Sequence, residues 1–255
     1  MADTKESFWD KRKKKKRGKF YKPRGTEETY ARQLRKIANE IGRIVNTYPA
    51  GDPQYLARIQ DQLAVYAKLI TPWAQETARR VVNTVNFHDE QAWAKAAKEM
   101  SLEMKAELAT APTGSALDAF MAEQVRLITS LPTDAGVRVH KLTMQGLADS
   151  TRAKEVAAEI RRTGEVTASR ATLIARTEVA RTASGLTMAR AQHIGSEGYI
   201  WRTAGDSDVR PLHRKLAGKY VRWDAPPIAG ERGEHAHAGM IYNCRCYPEP
   251  VIPEI

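Results

Sequence analysis

The sequence is poor in cysteine and has no long apolar segment. Only two cysteines occur in 255 residues, and no uninterrupted apolar run approaches the roughly 18 to 20 residues that a transmembrane helix needs. The first residues are charged and no apolar segment follows them, so we expect neither a secretory signal nor association with a membrane. These absences predict a cytoplasmic protein whose thiols stay reduced.

The two cysteines, Cys244 and Cys246, are separated by a single residue. A disulfide across that spacing would close a very small and strained loop, so we expect two free thiols. Because alternate residues of a strand point to the same side, the spacing also predicts that both sulfurs face one neighbour.

The composition, with 42% hydrophobic and 28% charged residues, is typical of a folded protein and excludes a wholly disordered chain. The net charge of +11 is concentrated at one end, because residues 1–24 contain eleven basic and three acidic residues. We predict that residues 1–25 form a basic tail, disordered or ordered only by a partner, that binds double-stranded DNA without base selectivity through counterion release. The alternative is a solubilising or RNA-adhering tail without a specific role. The predicted DNA-binding residues are Lys11, Arg12, Lys13, Lys14, Lys15, Lys16 and Arg17.

Apolar residues recur every three or four positions after the tail, which predicts a helical region over residues 26–165. We expect the first helix to end at Pro49 and the second to be broken or kinked at Pro72. Further helices are predicted near 73–86, 89–110, 114–131 and 134–162. No catalytic constellation is visible in this region.

The pattern changes after Thr163 and Gly164, which we interpret as a helix stop. One more helix is predicted over 168–193. Short strands joined by loops rich in glycine and proline are predicted near 199–203, 219–223 and 241–247. The expected fold class is therefore α+β, with a predominantly helical N-terminal region followed by a small α+β C-terminal domain over residues 166–255.

The C-terminal region brings together residue types that can bind a metal. Asp206 is a predicted helix N-cap, and Arg210 and His213 would share one face of that short helix. If the strand with the two cysteines packs against it, the side chains could form a tetrahedral zinc site. The candidate ligands are His213, Cys244 and Cys246, with Asp206, His235 or His237 as the fourth.

A metal-free interpretation is favoured, because the paired Cys-x-x-Cys units that are usual in structural zinc sites do not occur. In that interpretation polar side chains form one buried hydrogen-bonded network. Its members would be Asp206, Arg210, His213, Asn243 and Arg245. We therefore expect no cofactor, with a structural zinc ion as the alternative.

A series of residues in fixed order carries a resemblance to a known family. The series is Trp201, Asp206, Val209, Arg210, His213, Gly218, the run Asn243, Cys244, Arg245 and Cys246, and finally Pro248. It closely resembles the C-terminal domain of the phage Mu protein F-like, or phage head morphogenesis, family over residues 168–250. The resemblance implies a minor structural protein of the virion head, assembled in the host cytoplasm. Its implied partners are the portal protein and the capsid or scaffold, and its implied role is in head assembly or in DNA packaging and delivery.

The same residues allow other functions to be considered. Cys244 and His213 could form a thiolate pair, but the sequence shows no oxyanion loop. The resemblance implies that toxic enzymatic activity in this family lies in an additional domain after the last motif, and only nine residues follow Cys246. We expect no enzyme, and the alternative function is a DNA-binding ejection or packaging factor that is not fixed to the portal. The predicted structural cluster is Trp201, Asp206, Arg210, His213, Asn243, Cys244, Arg245 and Cys246.

Overall fold

The computed structural model describes residues 20, 23–148 and 153–253. The helices are α1 (Arg24–Asn46), α2 (Leu56–Leu69), α3 (Thr71–Ala96), α4 (Leu102–Ala109), α5 (Gly114–Ala148), α6 (Ala153–Arg161), α7 (Thr163–His193) and α8 (Pro211–Leu216). Short 3-10 turns cover Pro53–Tyr55 and Ala97–Glu99, and the strands are β1 (Gly198–Arg202), β2 (Tyr220–Arg222) and β3 (Tyr247–Pro250). The predicted fold class, a helical region followed by a small α+β unit, is confirmed.

The first helices form where the apolar periodicity predicts them. Helix α1 buries one face, which includes Tyr30, Leu34 and Ile41, and it ends before Pro49. The predicted break at Pro72 is also confirmed, because this proline lies in the first turn of α3. A proline is favoured there, since its missing N–H would have no partner within the helix.

Other predicted boundaries are wrong. Helix α3 continues through residues 86–89, and α5 continues through Pro132, which is buried inside it. Burial of Ile128, Leu131 and Ala135 around that proline offsets the loss of one backbone hydrogen bond. The helix stop predicted at Thr163 and Gly164 is close to the observed one, because α6 ends at Arg161, but both residues already lie in the first turn of α7.

Gly164 has a packing role that explains its place in a helix. Helices α1 and α7 cross there, and a Cβ on Gly164 would lie 2.9 Å from Cα of Gly42. Neither glycine can be replaced without moving a helix backbone. The first hydrophobic core fills the bundle around this crossing, and its buried members include Tyr30, Ile128 and Leu186.

A second core lies around the small sheet, whose strand order is β2-β1-β3 with both pairs antiparallel. Trp201 and Tyr199 are fully buried on one face of β1. Side chains from α3 and α4 also enter this core, and Phe20 packs edge-on against Trp93 with ring centroids 5.2 Å apart. The C-terminal unit therefore shares its core with the helical region.

Three further sequence predictions concern the basic tail, the membrane and the domain boundary. The basic residues from Lys11 to Arg17 lie outside the described residues. Within the described ranges, no helix is both long and apolar enough to cross a membrane. The predicted domain boundary at 165/166 stays a prediction, and α7 contributes side chains to both cores.

Candidate functional site

Three buried side chains converge in the C-terminal unit. Nδ1 of His213 lies 3.5 Å from Sγ of Cys244 and 3.4 Å from Sγ of Cys246. His213, Cys244 and Cys246 are only 2%, 3% and 5% exposed, respectively. Helix α8 supplies the histidine, and the segment immediately before β3 supplies both cysteines, so two elements distant in sequence meet here.

The protonation state of His213 follows from its second ring nitrogen. Nε2 lies 2.9 Å from the carbonyl oxygen of Ala229. Because a carbonyl oxygen can only accept, Nε2 carries a proton and donates it. Burial acts to lower the pKa of His213, but its hydrogen bonds to Cys244 and to the Ala229 carbonyl outweigh burial and raise that pKa. In the neutral ring, the lone pair of Nδ1 faces the two sulfurs.

Both cysteines are free thiols, and they differ in their contacts. The backbone N–H of Cys246 donates to Sγ of Cys244 over 3.4 Å. The hydrogen bond with the Cys246 thiol lowers the pKa of Cys244, against the effect of burial and with help from His213. The same thiol contact and burial raise the pKa of Cys246. The negative charge of the pair is therefore favoured on Cys244.

The predicted strand over 241–247 is wrong, although the two sulfurs do face one neighbour. Strand β3 begins only at Tyr247, and the cysteines lie in an irregular segment. The reason is the backbone of Asn243, whose φ of 52° lies in the left-handed region. Such a residue makes a turn and cannot continue a pleated strand.

The predicted helix N-cap at Asp206 is also wrong. Helix α8 begins at Pro211, because proline fixes φ at a helical value and is favoured in a first turn. Asp206 instead forms an ion pair with Arg245, with 3.0 Å between Oδ2 and Nη1. Asp208 binds the same guanidinium at 3.1 Å. This ion-paired group is partly exposed.

The remaining cluster residues make separate contacts and do not form the single buried network that we expected. Arg210 donates to the carbonyl oxygen of Tyr242 over 3.2 Å and lies over the ring of that tyrosine. The side chain of Asn243 accepts a hydrogen bond from Nη1 of Arg176 at 2.8 Å. The predicted cluster therefore divides into a buried group, formed by the histidine and the two cysteines, and a partly exposed ion pair between Asp206 and Arg245.

An aromatic wall borders the three converging side chains. Trp201 packs edge-on against His213 with ring centroids 5.4 Å apart. This contact places Trp201 beside the histidine, as the predicted cluster has it. Tyr199 was missed by sequence reasoning, although its position two residues before Trp201 places it on the same face of a strand. Its hydroxyl accepts from the backbone N–H of Ala238 and contacts His237, so His237 does not enter the cluster.

His235 also stays outside the cluster, because its Nδ1 lies 2.7 Å from the Pro226 carbonyl oxygen and its side chain is exposed. Across the described ranges, His213, Cys244 and Cys246 form the one group of three or more potential metal ligands whose ligand atoms all lie within 4.8 Å of one another. The fourth ligand that the sequence analysis sought in Asp206, His235 or His237 is therefore not among these residues.

Helix α7 anchors the turn before the cysteines. Nε of Arg181 donates to the carbonyl oxygen of Met240 over 2.8 Å, and the backbone N–H of Asn243 donates to the Thr177 hydroxyl over 3.0 Å. Arg176 bridges Asn243 and Glu27 of α1. These partners lie about 60 residues away along the chain, and no sequence pattern predicts them.

Replacing Asn243 tests the left-handed turn. We expect Asn243→Ala to lower the free energy of unfolding by about 1 to 3 kcal/mol, because it loses the Arg176 hydrogen bond and forces an alanine into a left-handed backbone. Asn243→Gly is the matched control, since it loses the same bond without that backbone strain. Denaturant unfolding should show the glycine variant as the more stable of the two, and equal losses would contradict the assigned role of the backbone.

Comparison with known proteins finds a family model that matches part of the chain. Residues 137–248 match the family model described as Phage Mu protein F like protein. The resemblance predicted from the sequence is thereby confirmed over most of its extent. A protein of Haemophilus influenzae strain Rd, named only as an uncharacterized protein, is 30% identical over 136 residues, which are 53% of this chain and 29% of that protein. No solved structure matches the chain significantly.

Proposed function

We propose that this chain, whose residues 137–248 match the family model of phage Mu protein F-like proteins, is a minor structural protein of a phage head that acts in head morphogenesis. The family match is the observation that carries the proposal. The chain spans 29% of the length of its Haemophilus influenzae relative. Its location in the virion head and its assembly in the host cytoplasm are parts of the same proposal.

The enclosure of the most reactive side chains supports a structural role and not a catalytic one. A catalytic thiolate must reach its substrate, whereas Cys244, Cys246 and His213 are all buried. Aromatic rings and the segment around Ala229 surround them. We therefore propose that these residues stabilise the C-terminal unit and do not perform chemistry on a substrate.

A face of α5 is the surface that we propose for contact with the portal. Val137, Met144 and Leu147 are 66%, 49% and 55% exposed, and their spacing of seven and three residues places them on one side of the helix. All three lie within the family match. Exposed apolar side chains grouped on one face are typical of protein interfaces.

Co-sedimentation with isolated portal oligomers after nuclease treatment tests this proposal. We expect the full-length chain to sediment with the portal. The double substitution Val137→Glu and Leu147→Glu should weaken that association at least tenfold, because it places charges in an apolar interface. Leu102→Glu is the matched control, since Leu102 is 83% exposed on α4 and lies outside the proposed surface.

The same experiment distinguishes the alternative function. A protein that leaves the portal when the DNA is digested is an ejection or packaging factor that is not fixed to the portal. Equal sedimentation of the α5 variant and the unchanged chain would contradict the proposed surface. The proposed contact between the N-terminal basic residues and packaged DNA is independent of both outcomes and has its own test.

A further inference from the structure

We propose that His213, Cys244 and Cys246 bind one Zn²⁺ ion, which holds α8 against the segment before β3. The metal would be structural and permanently bound. This inference does not depend on a role in phage heads, because it concerns only three converging side chains in the C-terminal unit.

The distances between the ligand atoms fit a tetrahedral metal. Zinc binds a thiolate sulfur at about 2.3 Å and an imidazole nitrogen at about 2.0 Å, so a tetrahedral angle separates the two ligand atoms by about 3.5 Å. The observed separations between Nδ1 of His213 and the sulfurs are 3.5 Å for Cys244 and 3.4 Å for Cys246. Both nitrogen-to-sulfur separations therefore already fit a zinc ion, and the two sulfurs lie within 4.8 Å of each other.

Hydrogen bonding around His213 prepares the ring for a metal. Its Nε2 donates to the Ala229 carbonyl oxygen, and metal-binding histidines usually donate their second nitrogen to a carbonyl or carboxylate in this way. That bond directs the Nδ1 lone pair at two thiols. A single metal ion placed between them would bond to all three ligand atoms.

Two further donors would stabilise thiolate ligands. The backbone N–H of Cys246 already donates to Sγ of Cys244, and such bonds favour the anionic form of sulfur. Nε1 of Trp201 is buried beside His213, and its interaction with the Cys246 side chain acts to lower the pKa of that thiol. The indole N–H is therefore placed to donate to a thiolate ligand.

The set of two cysteines and one histidine selects the metal. Soft thiolate and imidazole ligands suit zinc, whereas magnesium and calcium need oxygen ligands. No fourth histidine, cysteine or acidic side chain joins the three in the described ranges. The three side chains would therefore supply three of the four ligands of a tetrahedral zinc ion.

Metal content and thermal stability of the full-length chain test the proposal. The protein is purified without a histidine tag, reduced, incubated with one equivalent of Zn²⁺ and passed through a desalting column. We expect one zinc ion per chain by elemental analysis. A strong chelator should lower the Tm by about 10 °C, because metal binding contributes to folding, and Zn²⁺ but not Mg²⁺ should restore it. A folded chain that retains no zinc would overturn the proposal.

Substitutions then locate the ion. Cys244→Ser, Cys246→Ser and His213→Asn should each reduce zinc retention at least tenfold, whereas the control His235→Asn should retain one ion, because His235 lies outside the cluster. If the cluster variants do not fold, the absorption spectrum of Co²⁺ bound to the unchanged chain is measured instead. Thiolate-to-cobalt charge-transfer absorption supports the site, and its absence overturns it.

Discussion

Replacing Asp89 by alanine is expected to lower the free energy of unfolding by about 3 to 5 kcal/mol. Asp89 is buried in α3 and pairs with Arg190 of α7, with 2.5 Å between Oδ2 and Nη1. The hydroxyl of Thr187 donates to the second carboxylate oxygen. Removal of the carboxylate would leave the buried Arg190 guanidinium with Asn86 and the half-exposed Glu90 as its remaining partners, and loss of a buried counter-charge is more costly than loss of the whole pair. Chemical denaturation at neutral pH measures the difference.

The double variant Asp89→Ala and Arg190→Met provides the control. It removes both charges and leaves an apolar side chain of similar length, so it should be more stable than Asp89→Ala alone. A double variant that is less stable than the single one would show that the ion pair itself, and not the unpaired charge, determines the loss.

The pH dependence of stability gives a second measure of the same pair. Burial raises the pKa of Asp89 to about 6, because lost hydration outweighs the attraction of Arg190. An unfolded aspartate titrates near about 3.9. Between about pH 6 and pH 4 the folded chain binds a proton that the unfolded chain does not. Acidification across this range should therefore stabilise the unchanged protein relative to Asp89→Asn, by about 2 to 3 kcal/mol in the free energy of unfolding. A constant difference between the two across that window would contradict the raised pKa.

Neutralising the basic run from Lys11 to Arg17 is expected to weaken binding to double-stranded DNA about a thousandfold at low salt. Seven glutamines in place of these residues keep the chain length and remove seven positive charges. Because each phosphate contact releases counterions, the slope of log affinity against log salt should become shallower by up to about 6. Fluorescence anisotropy at several salt concentrations measures both quantities.

The structure determines which control this DNA experiment needs. Deleting residues 1–24 would also remove Phe20, which is buried against Trp93 in the second core, so a deletion would confuse DNA binding with stability. Lys36→Gln, Lys68→Gln and Lys98→Gln together form the comparison, since all three lysines are exposed on the helical region. If this triple variant lost as much affinity as the glutamine run, the tail would not be the DNA-binding element.

The sequence predicted the elements better than their ends. The spacing of apolar residues in α1 follows from the geometry of a helix, so the sequence alone predicts this helix. Pro132 was misinterpreted as a boundary because its place inside α5 depends on burial against other helices. Gly164 was assigned to the end of one helix, whereas it lies in the first turn of the next, where it packs against Gly42. Such tertiary packing overrides local preference and leaves no local signal.

The site was predictable to a similar extent. The sequence correctly brought His213 to the two cysteines, because the order of motifs and their residue types favoured one cluster. It placed Cys244 in a strand because the left-handed turn at Asn243 was not recognised. The Ala229 carbonyl could not be predicted at all, since a backbone oxygen has no residue-type signal.

The length of α7 has a consequence for how the molecule responds to load. Its 31 residues form a rod of about 46 Å, with side chains in the bundle core at one end and in the sheet core at the other. Neither core can open without exposing part of this helix, so the two halves should lose structure in one cooperative event. Amide protons in the second half of α7 should then exchange with solvent only as slowly as the whole molecule unfolds, and a pull on the C-terminal unit would be transmitted to the bundle without a hinge.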